Sequence, residues 1–321
     1  MWKQRIQSAH QLIKPEIRET PLDYSPALSK LTGAEVYLKL ENQQVSGSFK
    51  IRGVMNKILR LSDEEKSKGL VACSTGNHGA AFAHAVHKFG LEGILFLPET
   101  VSKAKLDALK HYNVELAFHG TDAVDTEHHA RKYAEENDKV LVHPYNDPKT
   151  VEGQGTIAAE ILNQLEDVEA IITPVGGGGL IAGVAAYAKE VNPSIQIIGA
   201  QPVNSAVMKR SIEAGEILDD DDTPTISDAT AGGMEKDSIT FPICQELVDD
   251  FILVDESEIK AAISLFVQHE YMIVEGASAL TLGALIKEKD TFKGKSVVLV
   301  VTGKKLNLSV LQEILAPPPP E

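Results

Sequence analysis

Ala170-Ile171-Ile172-Thr173-Pro174-Val175-Gly176-Gly177-Gly178-Gly179-Leu180-Ile181-Ala182 is the stretch whose reading decides the fold. A short β-rich run, Ala170 to Pro174, ends in four consecutive glycines and passes into a helical pattern that lasts through Glu190. Glycine adds conformational entropy to the unfolded chain, so four in a row are hard to explain by folding alone. They let the backbone approach an anion closely and aim several N–H donors at it. A phosphate is the natural ligand.

The same alternation recurs on both sides. Gly69 to Cys73 reads as a strand, Gly79 to Phe89 as a helix, Gly93 to Leu97 as a strand, Ser102 to His111 as a helix and Val114 to Phe118 as a strand. Downstream, Ile195 to Ala200 is a strand, and Ser296 to Val301 is an apolar strand of the kind buried on both faces. Strands alternating with helices predict an α/β fold with open, mostly parallel sheets and flanking helices. Two segments break the rhythm. Leu218 to Pro224 carries four consecutive aspartates and reads as an exposed loop, and Pro317 to Pro320 as a frayed end. Asp255-Glu256-Ser257-Glu258 matches a capping box opening a helix towards His269.

Composition narrows the function. The chain has 321 residues, enough for one large domain or two modest ones. A formal net charge of −15 repels phosphate backbones and argues against a nucleic-acid partner. An anionic ligand must then be held by a local positive site. Only two cysteines occur, Cys73 and Cys244, so there is no disulfide framework and a cytoplasmic, reducing setting is the simplest. The segment Met1-Trp2-Lys3-Gln4-Arg5 shows no apolar targeting core, and no run approaches the ~18 apolar residues of a membrane span.

Two further segments carry chemistry. In Ser46-Gly47-Ser48-Phe49-Lys50-Ile51-Arg52-Gly53 a lysine opens a helical run. The helix dipole and partial desolvation disfavour its ammonium and lower its pKa, and a neutral amine can attack an aldehyde. The plain alternative is a surface lysine on a capped helix. Cys73-Ser74-Thr75-Gly76-Asn77-His78-Gly79 lies between a strand and a helix, where an open α/β sheet binds ligands. Backbone N–H groups there, with the Ser74 and Thr75 hydroxyls, can bind a carboxylate; the plain alternative is an N-cap loop. A dinucleotide fingerprint is disfavoured because the next strand ends in Gln201-Pro202, not an acid. The glycines lack a Gly-Lys-Ser/Thr ending, and position 47 is glycine, so neither a nucleotide P-loop nor a Ser-x-x-Lys site fits.

Taken together and in this order, the three segments resemble the fold type II pyridoxal-phosphate (PLP) enzymes, tryptophan synthase β-like in fold, and most closely the threonine/serine dehydratases and serine racemases. The resemblance runs from Glu19-Thr20-Pro21-Leu22 to Thr302-Gly303. It implies Lys50 as the Schiff-base lysine and Cα proton base, Phe49 against the cofactor ring and Asn77 on the ring 3′-oxygen. Gly176, Gly177, Gly178 and Gly179 would cradle the phosphate. Ser74, Thr75, Gly76 and His78 would form the substrate carboxylate loop, and Thr302 would face the pyridine nitrogen. A hydroxyl there, unlike an aspartate, does not hold that nitrogen protonated, which favours β-elimination over transamination. The expected reaction is dehydration and deamination of a hydroxy amino acid such as L-threonine or L-serine to a 2-oxo acid and ammonia.

Some residues depart from the pattern. Serine racemases resemble this chain but have serine at the Thr75 position, so racemisation ranks below elimination. They bind a divalent cation through two acids after the strand ending here at Ala200. This chain reads Gln201-Pro202-Val203-Asn204-Ser205-Ala206-Val207, and no metal is expected there. The usual Ser-Gly-Gly-Asn after the last strand is here Thr302-Gly303-Lys304-Lys305, which bears on the substrate. Ala231-Gly232-Gly233-Met234 and Ile273-Val274-Glu275-Gly276-Ala277 look more like the hydroxyectoine-utilisation dehydratase branch, so that pathway or 3-hydroxyaspartate is the alternative. Glu275 falls near the substrate without an assigned role. With nothing after residue 321, isoleucine feedback through a C-terminal regulatory domain is not expected. The resemblance further implies a homodimer, a large PLP-binding domain (1–62 plus 144–321) and a small mobile domain (63–143). A non-catalytic sensor is the rival from another class; the intact Lys50, Asn77 and tetraglycine set argues against it. His128-His129 reads as a solvated helix face and Cys73 as a buried strand residue.

Overall fold

The computed structural model describes residues 1–321 except 102, 122, 220–222 and 317–321. Most of the aspartate run and the proline tail therefore lie outside the described residues. Among the described residues there are ten strands: β1 (Leu22–Tyr24), β2 (Glu35–Lys39), β3 (Leu70–Cys73), β4 (Gly93–Leu97), β5 (Glu115–Phe118), β6 (Val140–Leu141), β7 (Ala170–Pro174), β8 (Gln196–Pro202), β9 (Asp250–Val254) and β10 (Ser296–Val300). They form a six-stranded sheet in the order β1-β2-β10-β7-β8-β9 and a four-stranded sheet in the order β5-β4-β3-β6. Only β1 on β2 is antiparallel; the other pairings are parallel. This is the expected α/β architecture. The strands β7 and β10 are buried along their whole length, as their largely apolar character requires.

The helix Lys50–Leu59 is clamped against the helix Pro148–Gln164. A Cβ at Gly153 would lie 2.6 Å from the Arg52 carbonyl oxygen, so only glycine permits this approach. Beneath it sits a buried charge network. Arg52, fully buried, donates to Glu41 at 2.7 and 2.8 Å and to Glu160 at 2.7 and 2.8 Å. Lys39 Nζ donates to the same Glu160 at 2.6 Å. Arg52 stays charged because those two carboxylates outweigh desolvation, and Glu160 is held below the usual carboxylate range by Arg52 and Lys39. Two positive and two negative groups thus compensate one another in the floor under the N-terminus of the Lys50 helix.

The capping box at Asp255 and Glu258 forms on the helix Glu256–Glu270 as expected. The helix after β3 starts at Asn77, two residues earlier than the apolar pattern suggests, because the backbone turns helical before the apolar face begins. One expectation is corrected. His128 is exposed, but His129 is only partly so. It stacks on His119 with ring centroids 3.6 Å apart and packs edge-on against Phe96 at 5.2 Å. Sequence neighbours on a helix point about 100° apart, so one faces water and the next faces the sheet. Among the described residues, no helix is long and apolar enough to cross a membrane.

Candidate active site

Three strand ends converge. β7 runs into the glycine loop, β10 into Thr302, and β3 into Ser74, Thr75 and Gly76. All are carboxyl ends of parallel strands, the edge where open α/β sheets bind ligands. Backbone contacts bring the second of these together with the segment that carries Lys50. Phe49 N–H donates to the Thr302 carbonyl at 3.0 Å, and Ser48 bridges Gly303.

Lys50 is the first residue of its helix and is partly buried. Its Nζ donates to the Pro144 carbonyl at 3.1 Å and lies 5.3 Å from the centre of the Phe49 ring. Burial disfavours the ammonium and brings its pKa down to about 8; Glu275 and Glu127 pull the other way without restoring it. The amine is therefore far readier to act as a nucleophile than an ordinary lysine.

From Pro144 the chain continues into Tyr145, which covers the glycine loop. A Cβ at Gly177 would lie 2.6 Å from the Tyr145 ring, and Gly178 adopts the left-handed region at φ +83° beside Thr240 and Met208. This corrects one expectation: folding alone does account for glycine here, because protein neighbours already exclude side chains. The loop nevertheless opens the thirteen-residue helix Gly179–Val191. The first-turn N–H groups of that helix have no intrahelical acceptor, and its positive dipole end faces the loop.

The β3 side differs between residues. Ser74 Oγ accepts from the Gly76 N–H at 3.1 Å, and Ser74, Thr75 and Gly76 are partly exposed. His78 is buried instead, its Nε2 2.7 Å from the Val142 carbonyl. Burial pushes its pKa down to about 3, so the ring is neutral and Nε2 carries the donated hydrogen. The His78 ring thus ties its helix to the segment that leads to Pro144. Asn77 Nδ2 donates to both oxygens of Glu275, at 3.0 and 2.8 Å, while its Oδ1 is buried without a partner. Thr302 is fully buried; its hydroxyl lies 3.1 Å from Ser278 Oγ and donates to Glu275 at 3.3 Å. The Asn77–Glu275 link had no signal in the sequence, since the two are 198 positions apart. Cys73 is partly buried, and desolvation pushes its thiol up to about 12, which disfavours the thiolate.

These residues suit PLP. An amine of lowered pKa can take the aldehyde, a helix N-terminus behind glycines can take the phosphate, and the buried Asn77 amide can donate to a ring oxygen once its Nδ2 is turned to the side where Oδ1 now lies. Glu127, His143 and Glu235 form a second titratable group, their ligand atoms within 4.8 Å of one another. His143 Nδ1 accepts from the Tyr145 and Asn146 N–H groups at 3.2 and 2.7 Å. The hydrogen is therefore on Nε2, which lies 3.3 and 3.2 Å from the two carboxylates without hydrogen-bond geometry to either, and that nitrogen has no lone pair for a metal. Burial disfavours a charged ring, but the two carboxylates outweigh it and raise the ring's proton affinity. An open hollow of about 510 Å³ lies at the amino ends of β3 and β4, lined by Leu70, Gly93 and Lys139 among others, away from the converging strand ends.

The chain is 37% identical over 310 residues to an L-threonine ammonia-lyase of Thermotoga maritima, covering 97% of this chain and 77% of that protein. It is 40% identical over 314 residues to a catabolic L-threonine dehydratase of Staphylococcus aureus, covering 97% and 90%. Among solved structures, the serine racemase of Dictyostelium discoideum superposes with a TM-score of 0.88 at 36% identity, covering 95% of this chain and 98% of that one. The family signature described as "Pyridoxal-phosphate dependent enzyme" matches residues 13–303. With that match added to the converging strand ends, the chain belongs to the pyridoxal-phosphate-dependent enzymes of fold type II.

Proposed function

We propose that this protein removes water and ammonia from a small β-hydroxy amino acid, L-threonine or L-serine, to give a 2-oxo acid. The observation that carries this reading is the contact chain from Thr302 through Phe49, Lys50 and Pro144 to Tyr145 and the glycine loop. The relatives named for threonine dehydration support it. Bound PLP supplies an aldehyde that the Lys50 amine holds and an electron sink for the substrate. Lys50 would hold and move the Cα proton, and the helix N-terminus at Gly176, Gly177, Gly178 and Gly179 would hold the phosphate. Ser74, Thr75 and Gly76 would bind the substrate carboxylate, with His78 contributing through its backbone. Thr302 would face the ring nitrogen with a neutral hydroxyl.

We place the division between a small mobile domain, 63–143, and the rest at the edges of the four-stranded sheet, which spans residues 70–141. Closure of that unit would exclude water. The free thiols Cys73 and Cys244 suit a reducing, cytoplasmic setting. A homodimer is the assembly we expect from the family, and sedimentation would measure it. The deciding experiment is a panel of L-threonine, L-serine, 3-hydroxyaspartate and hydroxyectoine-derived amino acids, scored for 2-oxo acid and for D-serine. Rapid 2-oxo acid release from threonine or serine is expected. D-serine as the main product would instead support racemisation, which the likeness to a serine racemase favours.

A further inference from the structure

Glu275 is a buried titratable group that the proposed reaction leaves without a task. It is 2% exposed and immediately precedes the helix Gly276–Lys287. Its side chain accepts only from neutral donors, Asn77 Nδ2 and the Thr302 hydroxyl. Among the described residues it has no ion-pair partner. Lys305 beyond β10 stabilises its charge from a distance, Asp228 opposes it, and Lys50 lies within electrostatic reach. Desolvation outweighs these effects and pushes the carboxyl up to about 7. Near neutrality both protonation states are populated.

The two ends of the Asn77 amide are nearly isosteric, one a donor and the other an acceptor. An ionised carboxylate can only accept, so it engages Nδ2 and leaves Oδ1 without a partner, as observed. A protonated carboxyl has one O–H to give. It can donate to Oδ1 once the amide rotates, and rotation carries Nδ2 to the side where Oδ1 now lies stranded.

We propose that Glu275 is a positioning residue acting through Asn77: uptake of one proton by Glu275 lets the amide turn and present its N–H donors to the ring oxygen of the cofactor. This rests on the PLP reading of the site. No covalent step is involved; solvent supplies the proton and the cofactor-bound state retains it. The sign follows from linkage. Glu275 binds its proton more tightly in the cofactor-bound state, so affinity is full below about pH 7 and falls as pH rises through that value. The limiting slope is one proton, about tenfold per pH unit.

The test uses pyridoxine 5′-phosphate, which has the ring oxygen and the phosphate but no aldehyde, so Lys50 forms no bond to it. Its affinity for the full chain is measured by calorimetry from about pH 6 to about pH 9, to read the slope of one linked proton. The phosphate of the probe titrates identically in every variant, so it cancels between them. Wild-type affinity should fall above pH 7. Glu275→Gln should be flat there and keep near its low-pH affinity, because a glutamine N–H can donate to Asn77 Oδ1 at any pH. A Glu275→Gln variant with the wild-type slope, or weaker by the same factor at every pH, overturns the proposal. Should that variant not fold, infrared difference spectroscopy of wild type with labelled glutamate decides: a protonated-carboxyl band should grow on probe binding at pH 8, and its absence overturns the proposal. A wild-type protein that binds no probe at any pH sinks the cofactor reading as well. Binding without the pH linkage sinks only this inference.

Discussion

Lys50 and Glu275 show how burial retunes ordinary side chains in opposite directions. The amine loses its charge more readily, to about 8, and the carboxyl gains a proton more readily, to about 7. Desolvation is the leading cause in both, because it always penalises the charged form. Lys50→Ala should lower turnover by at least ~10²-fold, the size of general acid–base catalysis alone, with keto-acid release as the readout. The neutral fraction of Lys50 grows as pH rises to about 8 and then saturates. Capture of added PLP by cofactor-free protein should accelerate up to that pH and level off above it, as stopped-flow absorbance would show. A rate that peaks near the ordinary lysine range would contradict this placement of the amine.

The elements that carry these residues are held by features of very different strength. The floor beneath the Lys50 helix is the Arg52–Glu41–Glu160–Lys39 network, fully buried and mutually compensated. Arg52→Met leaves Glu41 and Glu160 short of a positive partner and should cost ~3–5 kcal/mol in urea unfolding, the usual penalty for breaking a buried pair. The capping box at Asp255 and Glu258 lies on an exposed helix end that follows β9. Asp255→Ala should lower the urea midpoint only slightly and leave turnover unchanged. If Arg52→Met proved as mild as Asp255→Ala, the network would not be what sets the helix in place.

Across the whole molecule, the four-stranded sheet meets the rest of the chain at a polar junction. Arg131, on the helix Ala123–Glu136, pairs with Glu235, which also accepts from Asn146 Nδ2 at 2.5 Å and faces His143. Lys105 reaches Asp228 at 3.6 Å on the same side. These pairs are partly exposed, so each adds no more than about 1 kcal/mol to stability. They are better suited to setting the register between the two sheets than to holding either one folded. Glu235→Gln should leave the urea midpoint almost unchanged while hydrogen exchange in residues 123–136 speeds up. Chelator or added divalent cations should change neither measurement, since His143 Nε2 already carries a hydrogen.

The sequence by itself determined the alternation of strands and helices, the glycine loop and the opening of a helix at Lys50. Those depend on local periodicity, turn chemistry and motif spacing, which are written in neighbouring residues. It could not show why the glycines are required, because Tyr145 is remote from them in sequence and meets them only in the fold. Nor could it show that His129 faces the sheet, or that Asn77 meets Glu275 across 198 positions. Burial, and with it the proton affinity of Lys50 and Glu275, was decided by tertiary structure alone. Desolvation depends on how much of the rest of the chain closes over a group, and no local stretch contains that information.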